Sequence, residues 1–212
     1  MIIQKNISSL TDKINVHYSA NFLNQHNADK YFNIFEDKLK YNSKEESKIK
    51  IYGKEIYIPR KQVAYGAPGT YYTFSGLRVD AISWDDKNDI VCRVIRNIKH
   101  KVEKFTGKKF NFCLINRYED GDQYIGYHHD DEKELGDEPT IVGVSLGSER
   151  EVLFQAAKLI PEFHDKTISL PLSHGSIFVM YHPTNEYWKH SIPKRANVKK
   201  PRISLTFRYL YV

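Results

Sequence analysis

The second half of the chain alternates between apolar and polar residues with a period of two. Short runs of this kind are separated by Gly, Pro, Asp or Asn, which is typical of antiparallel strands joined by turns. Helical spacing is confined to the first half, so the pattern predicts an α+β protein, a two-sheet antiparallel jelly roll (double-stranded β-helix) backed by N-terminal helices. The predicted strands are Phe110–Tyr118, Ile125–Asp130, Ile141–Leu146, Glu151–Gln155, Thr167–Leu170, Ser176–Tyr181 and Arg202–Tyr209.

Two helices are predicted ahead of these strands. Apolar residues within 20–39 fall at helical spacing, and Asn27 or Asp29 is the candidate N-cap of an internal start. Asp89–Phe105 has a stronger apolar stripe and a stop signal at Gly107. Its opposite face is basic, which usually means a solvated face, with contact to phosphates as the alternative. The first twenty residues show no clear period, so we expect an extended lead-in.

Two stretches between the helices carry aromatic residues. Lys48–Pro59 alternates on both sides of Gly53, which predicts a β-hairpin with Tyr52 at its turn. Tyr52 is either an ordinary surface side chain, the default, or a wedge that enters a base stack. Arg60–Gly76 combines glycine, proline and rings without clean alternation, so we expect a loop rather than a core strand. Its rings either stack on nucleobases or form a satellite cluster under the loop.

Composition restricts the class of protein. With 212 residues, 41% of them hydrophobic and 27% charged, the chain is expected to be a single domain over 1–212. It has neither an apolar run near the roughly 18 residues of a membrane span nor a secretory signal pattern, so we expect a soluble intracellular protein. Only Cys92 and Cys113 are present, so any metal must use His and carboxylate ligands. The formal charge of +6 favours an anionic partner such as nucleic acid.

A candidate metal pair lies within Gln123–Glu132. His128 and Asp130 are two residues apart, so in a strand both side chains project from one face and can hold one ion. The pair is a weak motif alone, and an iron site of two His and one carboxylate needs a third ligand. His190 is mildly favoured because it directly precedes a β-like segment. The downstream histidines that offer this ligand are His164, His174, His182 and His190.

The segment that follows His190 carries two arginines on one face of a predicted strand. Arg202 and Arg208 share this face with Ser204 and Thr206, and inward guanidinium groups are costly unless they meet anions. They either form ordinary salt bridges with Asp or Glu, or they bind a dicarboxylate bidentately. An amide and a phenol for the same pocket would come from Asn116 and Tyr118, which are also two residues apart.

An ordered set of motifs runs through the chain: L-I-N-R-Y, H-x-D-D-E, H-G-S, H-P-T-N, W-x-H-S and P-R-I-S-L-T-F-R. This set resembles the AlkB family of iron(II)- and 2-oxoglutarate-dependent nucleic-acid demethylases. The segments I-Y-G-K, P-R-K-Q and Y-T-F-S-G resemble the branch of that family that repairs double-stranded DNA. The similarity extends from about Lys48 to Tyr209, and Lys194–Lys200 partly matches that branch's basic loop.

The resemblance implies a role for each matching residue. The expected Fe(II) ligands, which form the catalytic centre, are His128, Asp130 and His190. The expected 2-oxoglutarate contacts are Arg202, paired with the far carboxylate, and in support Asn116, Tyr118 and Arg208. Phe74 would stack on a flipped base with His128 on its other side, while Tyr52 would fill the gap in the duplex. The full set of expected substrate contacts is Tyr52, Arg60, Phe74, Ser75, Asp131 and Glu132.

The implied reaction is oxidative demethylation of N-alkylated bases in DNA, such as 1-methyladenine and 3-methylcytosine, with release of formaldehyde. Fe(II) is the implied metal, with 2-oxoglutarate and O2 as cosubstrates, and base flipping costs least for a lesion that cannot pair. The alternatives are an enzyme of the same iron class acting on RNA or a protein side chain and, more remotely, an inactive nucleic-acid-binding protein. A monomer without a membrane partner is expected, located in the nucleus if the cell is eukaryotic.

Overall fold

The computed structural model describes residues 4–9, 13–51, 54–74, 77–157 and 166–212. Within these ranges the helices are α1 Gln25–Lys38, α2 Ile90–Thr106 and α3 Thr184–Tyr187, with 3-10 helices at Glu45–Ser47 and Lys133–Leu135. The strands are β1 Gln4–Ser9, β2 Ile14–Ser19, β3 Lys48–Ile51, β4 Lys54–Tyr57, β5 Lys61–Gly66, β6 Tyr71–Phe74, β7 Leu77–Asp80, β8 Ile82–Ser83, β9 Phe112–Tyr118, β10 Ile125–His128, β11 Ile141–Gly147, β12 Arg150–Ala156, β13 Thr167–Leu172, β14 Ile177–Met180, β15 Trp188–Ile192 and β16 Arg202–Arg208.

The larger main sheet contains eight strands in the order β1-β2-β14-β11-β16-β9-β5-β8. Successive side chains of a strand point to opposite faces. In β16, Ile203, Leu205 and Phe207 therefore join a core shared with α1 and α2, whereas Arg202 and Arg208 line a cavity on the other face. The N-terminal helices thus cover the outer face of this sheet, while its inner face contributes Arg202 and Arg208 to the cavity.

The smaller main sheet has four strands in the order β10-β15-β12-β13. A second apolar cluster joins it to the inner face of the larger sheet: Val152 and Phe154 come from β12, and Ile141 and Phe178 come from β11 and β14. Two mainly antiparallel layers with a core between them, backed by N-terminal helices, confirm the predicted jelly roll; the edge pair β5–β8 of the larger sheet is parallel.

Both predicted helices form, and the ends of α2 are as expected. The Asp89 carboxylate accepts a hydrogen bond from the Cys92 N–H (3.0 Å), and Gly107 ends the helix with a φ of 68°. The predicted cap of α1 was wrong, because the Asn24 side chain accepts from the N–H of Asn27 at 2.9 Å. The chain is fixed just before this cap, where the Leu23 N–H donates to Gly175 O, a tertiary contact that periodicity cannot reveal.

Three segments differ from the predicted pattern. Residues 4–9 and 14–19 form β1 and β2 instead of a lead-in, and β2 pairs with β14 inside the large sheet. Arg60–Gly76 is not a loop throughout, since β5 lies inside the same sheet and is buried on both faces, which removes the alternation that reveals a strand. His190 lies within β15 rather than ahead of a strand.

The predicted hairpin is present as β3 and β4, which pair antiparallel with Ile49 opposite Ile56. Its turn, with Tyr52 and Gly53, lies outside the described residues. A second small hairpin is formed by β6 and β7. In the described ranges, none of the helices combines the length and the apolar character needed to span a membrane.

Candidate metal centre and its pocket

A cavity of about 630 Å³ opens between the two main sheets. This volume lies in the usual range of small-molecule sites. The β3–β4 hairpin closes one side through Ile56, and Arg60 lies next to it. The candidate site residues that line the cavity are Arg60, Asn116, Tyr118, His128, Asp130, Asp131, Glu132, His190, Arg202 and Arg208.

The three expected metal ligands meet at this cavity. His128 at the end of β10 is the direct register partner of His190 in β15, and their ring centroids are 4.2 Å apart. Asp130 lies two residues beyond β10, with its Oδ1 3.6 Å from Nε2 of His128. One ligand atom of each residue lies within 4.8 Å of the other two. The adjacent strands β10 and β15 thus assemble a set that a single ion can bridge.

The other downstream histidines do not join this set. Nδ1 of His174 accepts from the Gly147 N–H at 2.8 Å, and its Nε2 contacts Asp29 at 3.0 Å, so His174 fastens a turn to α1. His182 borders a neighbouring cavity behind Asp130. His164 lies outside the described residues.

Hydrogen bonds and charge prepare the three residues as ligands. Nδ1 of His128 donates to the carbonyl oxygen of Gly126 (2.9 Å), which leaves the Nε2 lone pair available. Burial, together with neighbouring His128, lowers the pKa of His190 to about 3, so its imidazole is neutral. Burial opposes ionisation of Asp130, but Arg208 and the two histidines hold its pKa well below the usual range. Two imidazoles and one carboxylate are a donor set suited to Fe(II).

Asn185, to which sequence reasoning gave no role, holds the backbone of Asp130. Its Oδ1 accepts from the Asp130 N–H (3.0 Å) and its Nδ2 donates to the Asp130 carbonyl (2.6 Å). The backbone oxygen of Asn185 also contacts Nδ1 of His129 at 2.5 Å, so His129 supports the same segment. The quoted motif H-P-T-N contained Asn185, but its pairing with a residue 55 positions earlier is a tertiary contact.

Arg208 forms a salt bridge with an acidic residue, which was one of the two predicted roles of Arg202 and Arg208. Its Nη2 donates to Oδ2 of Asp130 at 2.9 Å, and both residues are buried. Burial lowers the pKa of Arg208, but Asp130, with Tyr72 and Glu132, outweighs burial and raises it. Arg208 therefore keeps Asp130 ionised and oriented, and a direct contact with 2-oxoglutarate stays a prediction.

Arg202 has no such partner. It is 1% exposed, and its Nη2 donates only to the hydroxyl groups of Ser145 (2.9 Å) and Ser204 (3.3 Å). Its Nε and Nη1 have no hydrogen-bond acceptor, and no Asp or Glu of the described segments forms a salt bridge with it. Burial lowers the pKa of Arg202 to about 10, so the group is still a cation at neutral pH. A buried guanidinium with free donors fits the carboxylate of a cosubstrate.

Two further polar residues lie beside Arg202 on the inner face. Tyr118 is its register partner on β9, and the guanidinium carbon of Arg202 is 5.4 Å from the centre of the phenol ring. Asn116 is 7% exposed, and its Oδ1 accepts from Nε of Arg60 at 2.8 Å. This bond ties the base of the β3–β4 hairpin to the proposed cosubstrate pocket, a link that the sequence did not predict.

Glu132 and Tyr72 both line the cavity, and the Glu132 carboxylate accepts a hydrogen bond from the hydroxyl of Tyr72. Burial and neighbouring Asp130 raise the pKa of Glu132, while Asp131 beside it is exposed. Tyr72 had been predicted only as one ring of a loop. Ser75 lies outside the described residues, and Phe74 is described only as the last residue of β6. The substrate roles of Tyr52, Phe74 and Ser75 therefore stay predictions.

The fold and this triad define a class of protein, and comparison with known proteins agrees. The profile of the 2OG-Fe(II) oxygenase superfamily matches residues 15–208, so the chain belongs to this family of Fe(II)- and 2-oxoglutarate-dependent enzymes. Its cofactor is Fe(II), and its cosubstrates are 2-oxoglutarate and O2. The residues described above include a His-Asp-His set that could hold a metal ion and a buried arginine with free donors.

Individual proteins and solved structures of this family are also similar to the chain. The chain is 40% identical over 184 residues to DNA oxidative demethylase ALKBH2 of Homo sapiens, covering 85% of this chain and 68% of that protein. It is 35% identical over 179 residues to DNA oxidative demethylase ALKBH2 of Arabidopsis thaliana, covering 76% of this chain and 56% of that protein. The solved structure of OsALKBH1 superposes with a TM-score of 0.59 at 14% identity, covering 98% of this chain and all of that chain, which supports the fold alone.

Proposed function

We propose that this protein removes alkyl groups from N-alkylated bases in DNA by oxidative demethylation. The observation that carries the proposal is the meeting of His128, Asp130 and His190 in one cavity with Arg202, a buried cation that forms no salt bridge with any described Asp or Glu. DNA as the substrate is supported by the similarity to two proteins named DNA oxidative demethylase.

In this proposal His128, Asp130 and His190 hold Fe(II), and Arg202 binds the far carboxylate of 2-oxoglutarate with Tyr118 and Asn116 beside it. When bound, the metal and cosubstrate supply the oxidising power, as 2-oxoglutarate and O2 yield succinate, CO2 and one oxygen atom for the N-alkyl carbon. An N-methyl group thereby becomes N-hydroxymethyl, which breaks at the C–N bond to release formaldehyde and leaves N–H on the base.

The work of the remaining residues is positioning. Arg208 keeps Asp130 ionised, and Asn185 fixes the Asp130 backbone. The hydrogen-bonded pair of Tyr72 and Glu132 faces the cavity where the edge of a flipped base would lie, with Asp131 next to it. We place Phe74 against one face of that base and Ser75 near its edge. Tyr52, at the turn of the hairpin, fills the gap left in the duplex, and Arg60 steadies the hairpin.

The decisive assay presents duplex DNA with a single 1-methyladenine or 3-methylcytosine, with Fe(II), 2-oxoglutarate and O2, and measures formaldehyde and the restored base. Wild-type protein should produce both. His128→Ala should lower the rate by at least about 100-fold because a ligand is lost, whereas Asn6→Ala, an exposed position on β1, should not change it. Failure of the wild type on duplex and single-stranded DNA would refute the proposal.

The alternatives are outcomes of the same assay. Turnover of alkylated RNA alone would assign an RNA demethylase, and hydroxylation of a peptide alone would assign a protein hydroxylase. An independent binding measurement is the charge-transfer band that 2-oxoglutarate gives on Fe(II) without oxygen. A wild-type protein that binds nucleic acid but gives no such band would be an inactive binding protein.

We further propose that residues 1–212 act as one domain and as a monomer. The described strands at both ends support this, because β1 and β16 belong to one sheet. Sedimentation at micromolar concentration should give a single species near 24.9 kDa. In a eukaryotic cell we place the protein in the nucleus, where its DNA substrate is, and fractionation of such a cell should recover it there.

A further inference from the structure

Arg150, the first residue of β12, is a third buried arginine close to the pocket, after Arg202 and Arg208. It is 4% exposed, and its donors reach only main-chain oxygens. Nη1 donates to Asp120 O at 3.0 Å, and Nη2 donates to Gln123 O at 3.0 Å and Pro193 O at 2.5 Å. These oxygens belong to the loop before β10 and the loop after β15, so Arg150 joins the two loops that flank the strands of His128 and His190.

The charge of Arg150 is not matched by an acid. No Asp or Glu of the described chain forms a salt bridge with its guanidinium, and its Nε is buried without a partner. Burial lowers its pKa, with Tyr118, Asp120 and Glu151 acting in the opposite direction. A side chain needed only to bridge carbonyl oxygens would not have to be charged. Because burying a charge is costly, the charge of Arg150 calls for a further role.

The same phenol ring contacts both unpaired cations. The guanidinium carbon of Arg150 is 5.7 Å from the centre of the Tyr118 ring, and that of Arg202 is 5.4 Å from it. Tyr118 lines the cavity and Arg150 lies behind it. The Arg202 end of the cavity therefore has two buried positive charges, and none of the described Asp or Glu residues forms a salt bridge with either of them. An incoming carboxylate would be attracted by this positive field.

We propose that Arg150 is a positioning and specificity-determining residue that selects a cosubstrate with a second carboxylate, by adding charge behind Tyr118 without touching the ligand. This inference rests on the proposed function, in which Arg202 binds the far carboxylate of 2-oxoglutarate. It adds that Arg202 alone does not account for the affinity, and that the second charge acts through space.

The test compares Arg150→Lys with Arg150→Gln, since both are shorter polar donors and only the first keeps the charge. Each protein is loaded with Mn(II), which sits in such sites without turnover, and is titrated calorimetrically with two ligands. One is 2-oxoglutarate, and the other is 2-oxopentanoate, which has a methyl group in place of the far carboxylate. Urea unfolding of each variant reports any loss of stability.

Arg150→Gln should weaken 2-oxoglutarate binding about tenfold, leave the weaker 2-oxopentanoate binding unchanged, and leave Mn(II) binding unchanged. Arg150→Lys should retain most of the affinity for 2-oxoglutarate. Equal losses for both ligands, or equal losses in both variants, would reduce Arg150 to a structural bridge and overturn the inference. Wild-type protein that prefers neither ligand would instead count against the proposed function.

A structure of the wild-type protein with Mn(II) and 2-oxoglutarate tests the inference even if both variants unfold. The far carboxylate should lie on Arg202 beside the Tyr118 ring. A far carboxylate directed away from Tyr118 would overturn the inference.

Discussion

Arg202 and Arg208 show how two identical residues on one face of one strand come to do different work. Arg208 is neutralised by Asp130 at 2.9 Å, whereas Arg202 is held by hydroxyl groups and keeps two donor atoms free. Removing one partner of a buried pair leaves an uncompensated charge, while removing an unpaired cation removes a binding group. The two arginines should therefore respond differently to the same substitution.

Arg208→Gln should weaken Mn(II) or Fe(II) binding about 10- to 100-fold, because Asp130 loses its orientation and its counter-charge. Arg202→Gln should leave metal binding nearly unchanged and weaken 2-oxoglutarate binding by about 10- to 100-fold, because a charge-assisted contact is lost. Calorimetric titration of each variant, first with metal and then with cosubstrate, separates the two effects. A parallel loss of metal affinity in both variants would contradict this division.

At the residue scale, the sequence predicted which groups meet but not how they are held. The period of two placed Arg202 and Arg208 on one face of β16, and both line the cavity. His128 and Asp130 also meet there, but β10 ends at His128, so Asp130 does not share a strand face with it as predicted. Among the downstream histidines, spacing favoured His190 only mildly as the third metal ligand. Its assignment depended on the resemblance to the AlkB family. Asn185 and Arg150 were missed because their partners lie 27 to 55 positions away, and local patterns do not report such contacts.

At the scale of elements, the strands whose polar and apolar residues alternate along the sequence were predicted best, and those without this alternation worst. β16 alternates, and its prediction matched to within one residue. β5 is buried from Gln62 to Gly66, and its sequence does not alternate between polar and apolar residues, so the pattern predicts a loop there. The approach of two loops around Gly121 was equally invisible, because it depends on backbone contacts.

Gly121 connects the loop before β10 to the loop after β15. Its N–H donates to Val198 O at 2.8 Å and its carbonyl accepts from the Arg195 N–H at 2.7 Å. A Cβ at this position would lie 1.6 Å from Arg195 O, whereas a Cβ at Gly126 would meet nothing within 4 Å. The contact surface at Gly121 is backbone, which cannot rotate aside as a side chain can.

Gly121→Ala should lower the free energy of unfolding by about 2 kcal/mol or more, because the two loops must separate. Gly126→Ala is the matched control in the same region and should change it by less than about 1 kcal/mol. Urea denaturation of both variants provides the comparison. Similar unfolding midpoints for the two would show that the loops are not held by this contact.

At the scale of the whole molecule, the large sheet separates two basic surfaces. The exposed side of α2, with Lys101 and Lys104, lies beyond the outer face of the sheet, away from the cavity. Lys189 lines the cavity, and the ammonium of Lys194 is 4.9 Å from the ring of Tyr124, which also lines it. A DNA duplex with one base in the cavity would therefore contact the surface around Lys189 and Lys194. The sequence showed both basic segments but could not indicate which of them lies beside the cavity.

This geometry predicts that the two basic surfaces contribute differently to the salt dependence of DNA binding. Each phosphate contact adds about 0.9 to the slope of log K against log salt concentration for duplex DNA, because counterions are released. The double variant Lys189→Ala/Lys194→Ala should lower this slope by one to two and weaken binding to any sequence to a similar extent. Lys101→Ala/Lys104→Ala makes the same change in net charge on the opposite side and should leave the slope unaltered. Fluorescence anisotropy with a labelled duplex at several salt concentrations measures both slopes, and equal decreases would mean that net charge, rather than the surface around the cavity, governs binding.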